Sequence, residues 1–159
     1  MDTIVASPLP DTGIGFEVVN EESMVLPAGY RPSEDEPFMS SRQLAYFRAK
    51  LLGWREQIQD EARETLIELK ADSLHEADLA DRASSETDWT VHLRTRDRQR
   101  KLIGKINAAL RRIDEGEYGY CEVTGDPIGL GRLEARPIAT MTVEAQEAHE
   151  RREKVSRDL

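Results

Sequence analysis

Residues 120–145, which read YCEVTGDPIGLGRLEARPIATMTVEA, are spaced like a small zinc finger but contain the only cysteine of the chain, Cys121. Structural zinc requires four nitrogen or sulfur donors, and a single thiolate cannot build such a site. We call residues 120–145 the finger segment and expect it to bind no zinc. Cys121 is then expected to be a buried small hydrophobe, with a redox-sensing thiol as the alternative.

Packing has to replace the metal if the finger segment folds without it. Structural zinc contributes about 10–16 kcal/mol to the folding of a finger, whereas each buried aliphatic side chain contributes about 1.5–3 kcal/mol. The segment is rich in candidates for burial, namely Val123, Ile128, Leu130, Leu133, Ile138, Met141 and Val143. Burial of this set is of the right order to stabilise the segment.

Two acids, Asp78 and Asp81, form a second group of interest, in the polar stretch ADSLHEADLADRASSET. Carboxylates seek water, so acids at the end of a long helical hairpin are expected to lie outside the protein core. The residues alone favour a simpler interpretation, in which Asp81 caps the following helix and Asp78 is solvated.

A third group is a basic strip, defined here as Arg94, Arg96, Arg98, Arg100, Lys101 and Lys105. The strip contrasts with the rest of the chain, which has a net charge of −9, and with residues 1–40, which contain eight acids and one base. The acidic total argues against a general nucleic-acid binder. A charge run on a helix is usually a solvated face that pairs with neighbouring acids.

Two long helices have to position these groups. Ser40 and Gln43 form an N-terminal capping pattern, with Met39 and Leu44 placed as a hydrophobic staple. Apolar residues then recur every three or four positions, at Leu44, Phe47, Leu51, Trp54, Ile58, Ala62, Leu66 and Leu69. A second stripe has the same spacing and includes two arginines: Trp89, Leu93, Arg96, Arg100, Ile103, Ile106, Leu110 and Ile113. The spacing predicts an antiparallel coiled coil.

The apolar spacing also predicts which side chains lie in the seam between the two helices. We expect Trp54 and Trp89 to pack within it. Acids of the first helix, such as Glu56 or Asp60, are expected to face the two seam arginines. Arg94, Arg98 and Lys101 fall off the seam and are available to a partner.

The predicted fold is therefore mostly α, with three regions. Residues 1–38 are an irregular N-terminal arm, partly packed on the globular domain. Residues 39–114 form the long antiparallel hairpin, whose tip is expected near residues 74–84. Residues 115–159 form a small globular domain that combines a degenerate, metal-free finger with a C-terminal helix.

Local signals mark the ends of these elements. The stretch DEGEYGY ends the second helix in glycines. Gly125-Asp126-Pro127 predicts the turn of a short β-hairpin, and Thr142 caps the last helix, with Glu144 in its first turn. A piece of the arm around Phe16–Val19 is expected to pack on the core.

The composition also bounds the compartment. No apolar run approaches the length needed to span a membrane, and residues 1–30 lack a basic start followed by an apolar segment. A single cysteine excludes an internal disulfide framework and fits a reducing compartment. We expect a cytoplasmic protein with no membrane partner.

The finger segment resembles the signature of the DksA/TraR family. The matching positions are Cys121-x-x-Thr124, Ile128, Arg132, Pro137 and Thr142-x-x-Ala145, and the resemblance continues back through LRTRDRQRKLIGKI and AYFRAKLLGWR to about residue 40. The long hairpin is typical of the DksA type. In that family each pair is Cys-x-x-Cys and four thiolates hold one zinc, so Thr124, Thr142 and Ala145 depart from the pattern and indicate a zinc-independent, cysteine-poor member.

The resemblance also implies functional residues. Asp78, Asp81 and Ala83 match the DksA tip motif, which enters the secondary channel of bacterial RNA polymerase. Leu102, Lys105 and Arg136 match positions that bind the alarmone ppGpp together with the polymerase, and clustered cations suit its diphosphates. A lysine expected ten residues after Arg136 is Gln146 here, which weakens the expected coupling to ppGpp. Arg94 and Arg98 are then expected to contact the polymerase.

The resemblance implies a non-enzymatic regulator that alters the lifetime of promoter open complexes, at ribosomal RNA promoters and others, without binding DNA. We expect a monomer. One alternative is a Gre-like factor whose acidic tip holds magnesium for transcript cleavage. Another is a generic coiled-coil adaptor, for which the finger spacing would be a coincidence.

Overall fold

A computed structural model describes residues 25–73 and 79–157. Within them the chain forms helix α1 (Ser41–Ser73), helix α2 (Leu79–Glu115), the short helix α3 (Leu130–Ala135) and helix α4 (Val143–Arg157). The mostly helical fold class predicted from the sequence is confirmed. No helix in the described part of the chain combines the length and apolar character needed to cross a bilayer.

Helices α1 and α2 pack against each other as an antiparallel hairpin. Two side-chain contacts fix the register: Arg48 pairs with Asp114, and Arg55 donates to Asn107 Oδ1 at 2.8 Å. As the residue number rises by seven on α1, it falls by seven on α2. With 33 residues, α1 is about 50 Å long at 1.5 Å per residue.

The helix ends follow the sequence signals. Ser40 Oγ accepts from the Gln43 N–H at 3.4 Å, and Gln43 Oε1 accepts from the Met39 N–H at 2.8 Å. Directly after the C-terminal end of α2, Gly116 adopts a positive φ of 74°. The N–H groups of Gly116 and Glu117 bond back to the carbonyls of Ile113 and Arg112, which is a Schellman motif.

The core lies at the base of the hairpin, where α1, α2 and the finger segment meet. Phe47, Leu51 and Ile106 are fully buried there together with Leu133 of the finger segment. Trp54 is partly buried against this cluster, as predicted. We call residues 41–58 and 103–115 the proximal half of the hairpin.

Packing is looser in the distal half of the hairpin, defined as residues 62–71 and 86–100. Trp89 is 53% exposed and Leu93 is 48% exposed, so the prediction that Trp89 packs within the seam is wrong. A groove of about 470 Å³ opens here between Ala62 of α1 and Arg96 and Arg100 of α2. A small alanine opposite long cationic side chains cannot close the seam, because guanidinium groups stay in water.

The predicted pairing of seam arginines with acids of α1 is also wrong for the pair that the structure resolves. Arg100 pairs with Asp97 of its own helix at 3.1 Å, and Asp60 pairs with Arg63 at 3.0 Å. Ion pairs one helical turn apart form more readily, because both side chains lie on the same face.

The finger segment is compact but contains little β-structure. The predicted turn at Gly125-Asp126-Pro127 is present, with a positive φ of 76° at Gly125. It is closed by one antiparallel bridge between Tyr120 and Pro127, and no longer ladder forms in the described residues. Helix α3, which the sequence did not predict, follows it.

Five of the seven apolar residues predicted to hold the finger segment are buried or partly buried: Ile128, Leu130, Leu133, Ile138 and Met141. Val123 and Val143 are about half exposed, so their predicted burial is wrong. Both valines lie at edges, one in the turn and the other at the start of α4.

The described end of the N-terminal arm, residues 25–40, packs on the base of the hairpin. Phe38 contacts Tyr120 edge to face, with ring centroids 5.4 Å apart, and Tyr30 contacts Tyr46 in the same way at 6.0 Å. Gln43, which is fully buried, donates to the Ser33 carbonyl at 3.0 Å. The predicted packing of Phe16–Val19 lies outside the described residues.

Candidate functional site

The acids assigned to the hairpin tip lie at or near the start of α2. Asp78 lies outside the described residues. Asp81 and Ala83 lie on the first turns of α2, which begins at Leu79. Asp81 is therefore inside the helix, and the alternative that it caps the helix from outside is wrong. A carboxylate in the first turn remains favourable for the helix dipole.

The basic strip follows α2 and is unevenly neutralised. Asp97 binds Lys101 Nζ at 2.8 Å and Arg100 at 3.1 Å, and these two cations, Lys101 first, hold the pKa of Asp97 below its usual range. Arg94 and Arg98 are exposed. Within the described residues, the one hydrogen bond of Arg98 is a long contact of 3.4 Å to the Thr95 hydroxyl. The strip therefore presents guanidinium charge that the described part of the chain does not neutralise.

The three residues matched to ppGpp binding lie on two elements. Leu102 is partly buried against the hairpin core, and Lys105 is exposed one turn further along α2. Arg136 is exposed and directly follows α3.

Helix α3 is tied to α1 through Glu134. Tyr46 donates to Glu134 Oε1 at 2.6 Å, and Lys50 Nζ binds the same oxygen at 2.9 Å. Burial acts to raise the pKa of Glu134, but these two hydrogen bonds outweigh it and hold the pKa below its ordinary value. By the hairpin register, Lys50 lies level with Arg112, seven residues or about 10 Å along α2 from Lys105. The two cations matched to ppGpp thus belong to one end of the hairpin.

Gln146, which replaces an expected lysine, lies on the first turn of α4. Its side-chain amide donates to Glu150 at 2.9 Å, so it is engaged within its own helix.

Of the four finger positions, Thr124 and Thr142 contact Cys121, which is 3% exposed. Burial acts to raise the pKa of this thiol. Hydrogen bonds from the Thr124 hydroxyl and from the backbone N–H groups of Thr142, Thr124 and Val123 outweigh burial and lower the pKa to about 7. The Thr142 hydroxyl accepts from the Ala145 N–H at 3.2 Å, which confirms the predicted cap of α4.

Three long side chains donate hydrogen bonds to backbone carbonyls of the loops around these positions. Neither the composition nor the periodicity of the sequence identified these three residues. Arg112 donates to the carbonyl of Tyr120 at 2.6 Å, and Arg132 donates to the carbonyl of Met141 at 2.9 Å. Tyr118, which is buried, donates to the carbonyl of Pro137 at 2.7 Å. Only the match of Arg132 and Pro137 to the family signature gave any hint of these contacts.

Two family models match the chain in the order of its elements. The family described as DnaK suppressor protein DksA, N-terminal domain, matches residues 43–113, and the prokaryotic dksA/traR C4-type zinc finger matches residues 116–151. A Caulobacter vibrioides protein named RNA polymerase-binding transcription factor DksA is 67% identical over 135 residues, covering 85% of this chain and 95% of that protein. The chain belongs to the DksA/TraR family.

Further members of the DksA/TraR family support the same assignment. The protein of the same name from Escherichia coli K12 is 39% identical and covers 83% of this chain and 89% of its own length. The structure of transcription factor DksA2 from Pseudomonas aeruginosa is 41% identical, with a TM-score of 0.70 over 76% of this chain and 95% of that chain.

The family's C4-type finger implies a zinc ion, and the residues of this chain do not fit one. Of the four positions, Cys121 offers a thiol, Thr124 and Thr142 offer neutral hydroxyls, and Ala145 offers no donor. In the described residues no group of three histidines, cysteines or acids gathers anywhere to hold a metal. Four nitrogen or sulfur donors cannot be assembled at this site.

Proposed function

We propose that this chain is a transcription regulator that binds RNA polymerase without acting as an enzyme or contacting DNA. The observation that carries the proposal is the 67% identity to a named RNA polymerase-binding factor over 95% of that protein's length. Because the match runs across both the hairpin and the finger segment, it supports a shared mode of action.

The hairpin is the element that we expect to enter the polymerase. We propose that its tip, with Asp78, Asp81 and Ala83, enters the secondary channel of the polymerase and alters the stability of promoter open complexes. A helix pair about 50 Å long can reach deep into a channel. Carboxylates at its end can contact the metal and the cationic groups of a nucleotidyl-transfer site.

The base of the hairpin is the proposed site for ppGpp, which binds at the junction with the polymerase. Lys105 and Arg136 are exposed cations near one end of the hairpin and suit charge-assisted hydrogen bonds to diphosphates. Leu102 supports the site by its packing on the core. Because Gln146 supplies no charge, we propose a weaker response to ppGpp than in members with a lysine there.

Transcription in vitro from a ribosomal RNA promoter, with and without ppGpp, tests the whole proposal. We expect repression that ppGpp strengthens, and we expect Asp81→Asn to abolish repression while polymerase affinity stays within twofold. Lys105→Ala with Arg136→Ala should remove the ppGpp response and leave the basal effect. Stimulated transcript cleavage in stalled elongation complexes would instead establish a Gre-like activity, and failure to bind core polymerase would leave only an adaptor.

We also propose that the finger segment works without zinc. A chelator should leave the melting curve unchanged, and metal analysis of the purified chain should find much less than one zinc per molecule. One tightly bound zinc per chain would contradict this.

A further inference from the structure

The groove at the seam of the hairpin carries positive charge that the described part of the chain leaves largely unpaired. Arg96 and Arg100 of α2 line it, and Ala62 of α1 lies opposite. Arg96 makes no hydrogen bond or ion pair with any described residue. The side chain of Arg100 stays 82% exposed even though it contacts Asp97. We call the space between these residues, about 470 Å³ in volume, the seam groove.

Apolar side chains form the rest of one wall of the seam groove. Leu93, Arg96, Arg100 and Ile103 follow one another in steps of three and four, so they share one face of α2. Leu93 is 48% exposed on this face, although the helix spacing directs it towards α1. Exposed apolar surface beside unpaired guanidinium groups suits an occupant that is both apolar and acidic.

The chain itself contains a segment of that composition. Residues 1–24, which lie outside the described residues, contain five acids and no base. Within them, residues 14–22 read IGFEVVNEE and combine four apolar side chains with three of these acids. We call residues 14–22 the acidic segment. Its charge is opposite to that of the basic strip, to which both arginines of the seam groove belong.

The acidic segment is long enough to reach the seam groove. Tyr30 contacts Tyr46 of α1, with ring centroids 6.0 Å apart, which fixes the arm to the base of the hairpin. Ala62 follows Tyr46 by 16 residues, a distance of about 24 Å along α1. The stretch from Phe16 to Val25 alone spans up to about 30 Å when it is extended.

We propose that the acidic segment docks in the seam groove of its own chain, with apolar side chains against Leu93 and carboxylates on Arg96 and Arg100. A tether on the same chain gives the segment an effective concentration in the millimolar range, whereas the net charge of −9 on each copy disfavours docking between copies. The site differs from the core at the base, where the sequence led us to expect Phe16–Val19. The inference goes beyond the proposed function and holds for the chain alone, without polymerase.

Cleavage by chymotrypsin after Phe16, followed by mass spectrometry of the full chain, tests the docking. Docking protects Phe16, and Arg96→Glu with Arg100→Glu reverses the charge of the groove, so this variant should be cleaved there roughly fivefold faster or more. Arg94→Glu with Arg98→Glu is the matched control. It changes the net charge equally, but on the outer face of α2, and should alter the rate by less than about twofold.

Both variants should fold, because all four arginines are exposed, and circular dichroism checks this. Cleavage after Phe47 is an internal reference in the same digest. Phe47 is fully buried, so cleavage there requires the core to open. We expect this slow cleavage to have the same rate in the unsubstituted chain and in both variants.

Nuclear magnetic resonance tests the same contact from the side of the acidic segment. Glu21→Lys with Glu22→Lys should shift the amide signals of residues that line the seam groove, such as Gln99, because the segment leaves it. Asp2→Lys with Asp11→Lys makes the same change of charge within residues 1–24 but outside the acidic segment. This control should leave the groove signals in place.

Each measurement can overturn the inference. Equal rates of cleavage after Phe16 in the two arginine variants would do so, as would groove signals that stay unchanged in both acid variants. Protection that grows with the concentration of the chain would assign the groove to a second copy and also overturn docking within one chain. Polymerase binding by a chain that gives any of these results would leave the proposed function intact.

Discussion

The two halves of the hairpin share one apolar spacing but differ in how far they bury it. In the proximal half, Phe47, Leu51 and Ile106 are fully buried, whereas Trp89 and Leu93 in the distal half remain about half exposed. The difference teaches that heptad spacing decides which residues face the neighbouring helix, but not whether they are covered. Two helices alone make only a thin core.

Coverage in the proximal half comes from a third layer. The finger segment contributes Leu133, the loop that precedes it contributes Tyr118, and residues 25–40 contribute Phe38 and Met39 to the same cluster. In the described residues, the distal half has no such layer. Packing of this third layer stabilises the base, while Trp89 and Leu93 of the distal half stay about half exposed.

Removing a buried side chain from the third layer should have the largest effect. Leu133→Ala deletes a side chain with no exposed surface and should lower the free energy of unfolding by about 2–5 kcal/mol, measured by urea denaturation. Val123→Ala, in the same segment but 58% exposed, is the matched control and should cost less than about 0.5 kcal/mol. Equal losses would show that packing does not stabilise the finger segment.

A smaller loss should follow from the removal of one hydroxyl. Tyr118→Phe leaves the buried carbonyl of Pro137 without its hydrogen bond of 2.7 Å, which should cost about 1–3 kcal/mol. Tyr120→Phe is the control, because its hydroxyl makes no hydrogen bond within the described residues and the ring contact with Phe38 would remain. An unchanged free energy of unfolding in Tyr118→Phe would mean that water replaces the lost hydrogen-bond donor.

The sequence predicted the parts of this arrangement that depend on local pattern. The spacing from Leu44 to Leu69 and the cap at Ser40 gave α1, and the glycine after Glu115 gave the end of α2. The resemblance supplied the finger positions, and Cys121 is buried as expected.

Features that depend on distant contacts were not predictable in this way. Helix α3 is held by the hydrogen bond between Tyr46 and Glu134, which lie 88 positions apart in the sequence. No periodic signal in the sequence encodes such a pair. Trp89 fits the seam pattern but is exposed, because the pattern carries no information about what covers the distal half. The predicted pairing of Arg100 failed because Asp97, three residues away, competes for the same cation.

Closing the distal seam should reduce the contrast between the halves by a modest amount. Arg100→Leu places an apolar side chain opposite Ala62, beside the groove of about 470 Å³, and should raise the free energy of unfolding by about 1 kcal/mol through partial burial. Arginine and leucine have similar helix propensities, so Arg94→Leu, on the outer face, should give no gain. A gain from both variants would point to relief of charge repulsion instead of burial.

The smallest effect concerns the sulfur that remains in the finger segment. The pKa of Cys121 is lowered from 9.0 to about 7 in the folded chain, because donated hydrogen bonds outweigh burial. A folded pKa below the unfolded value means that the thiolate adds stability that is complete above pH 9 and is lost as the pH falls through about 7.

Thiolate absorbance at 240 nm, which this chain's single cysteine makes unambiguous below the range of tyrosine ionisation, should titrate with a midpoint near 7 and shift towards 9 in urea. Thr124→Val removes the hydroxyl that contributes most to the lowering and should raise the folded midpoint, whereas Thr140→Val, whose hydroxyl bonds to Glu122, should leave it unchanged. A folded midpoint at or above 9 would show that burial dominates, and that Cys121 is held in the base as an ordinary apolar side chain.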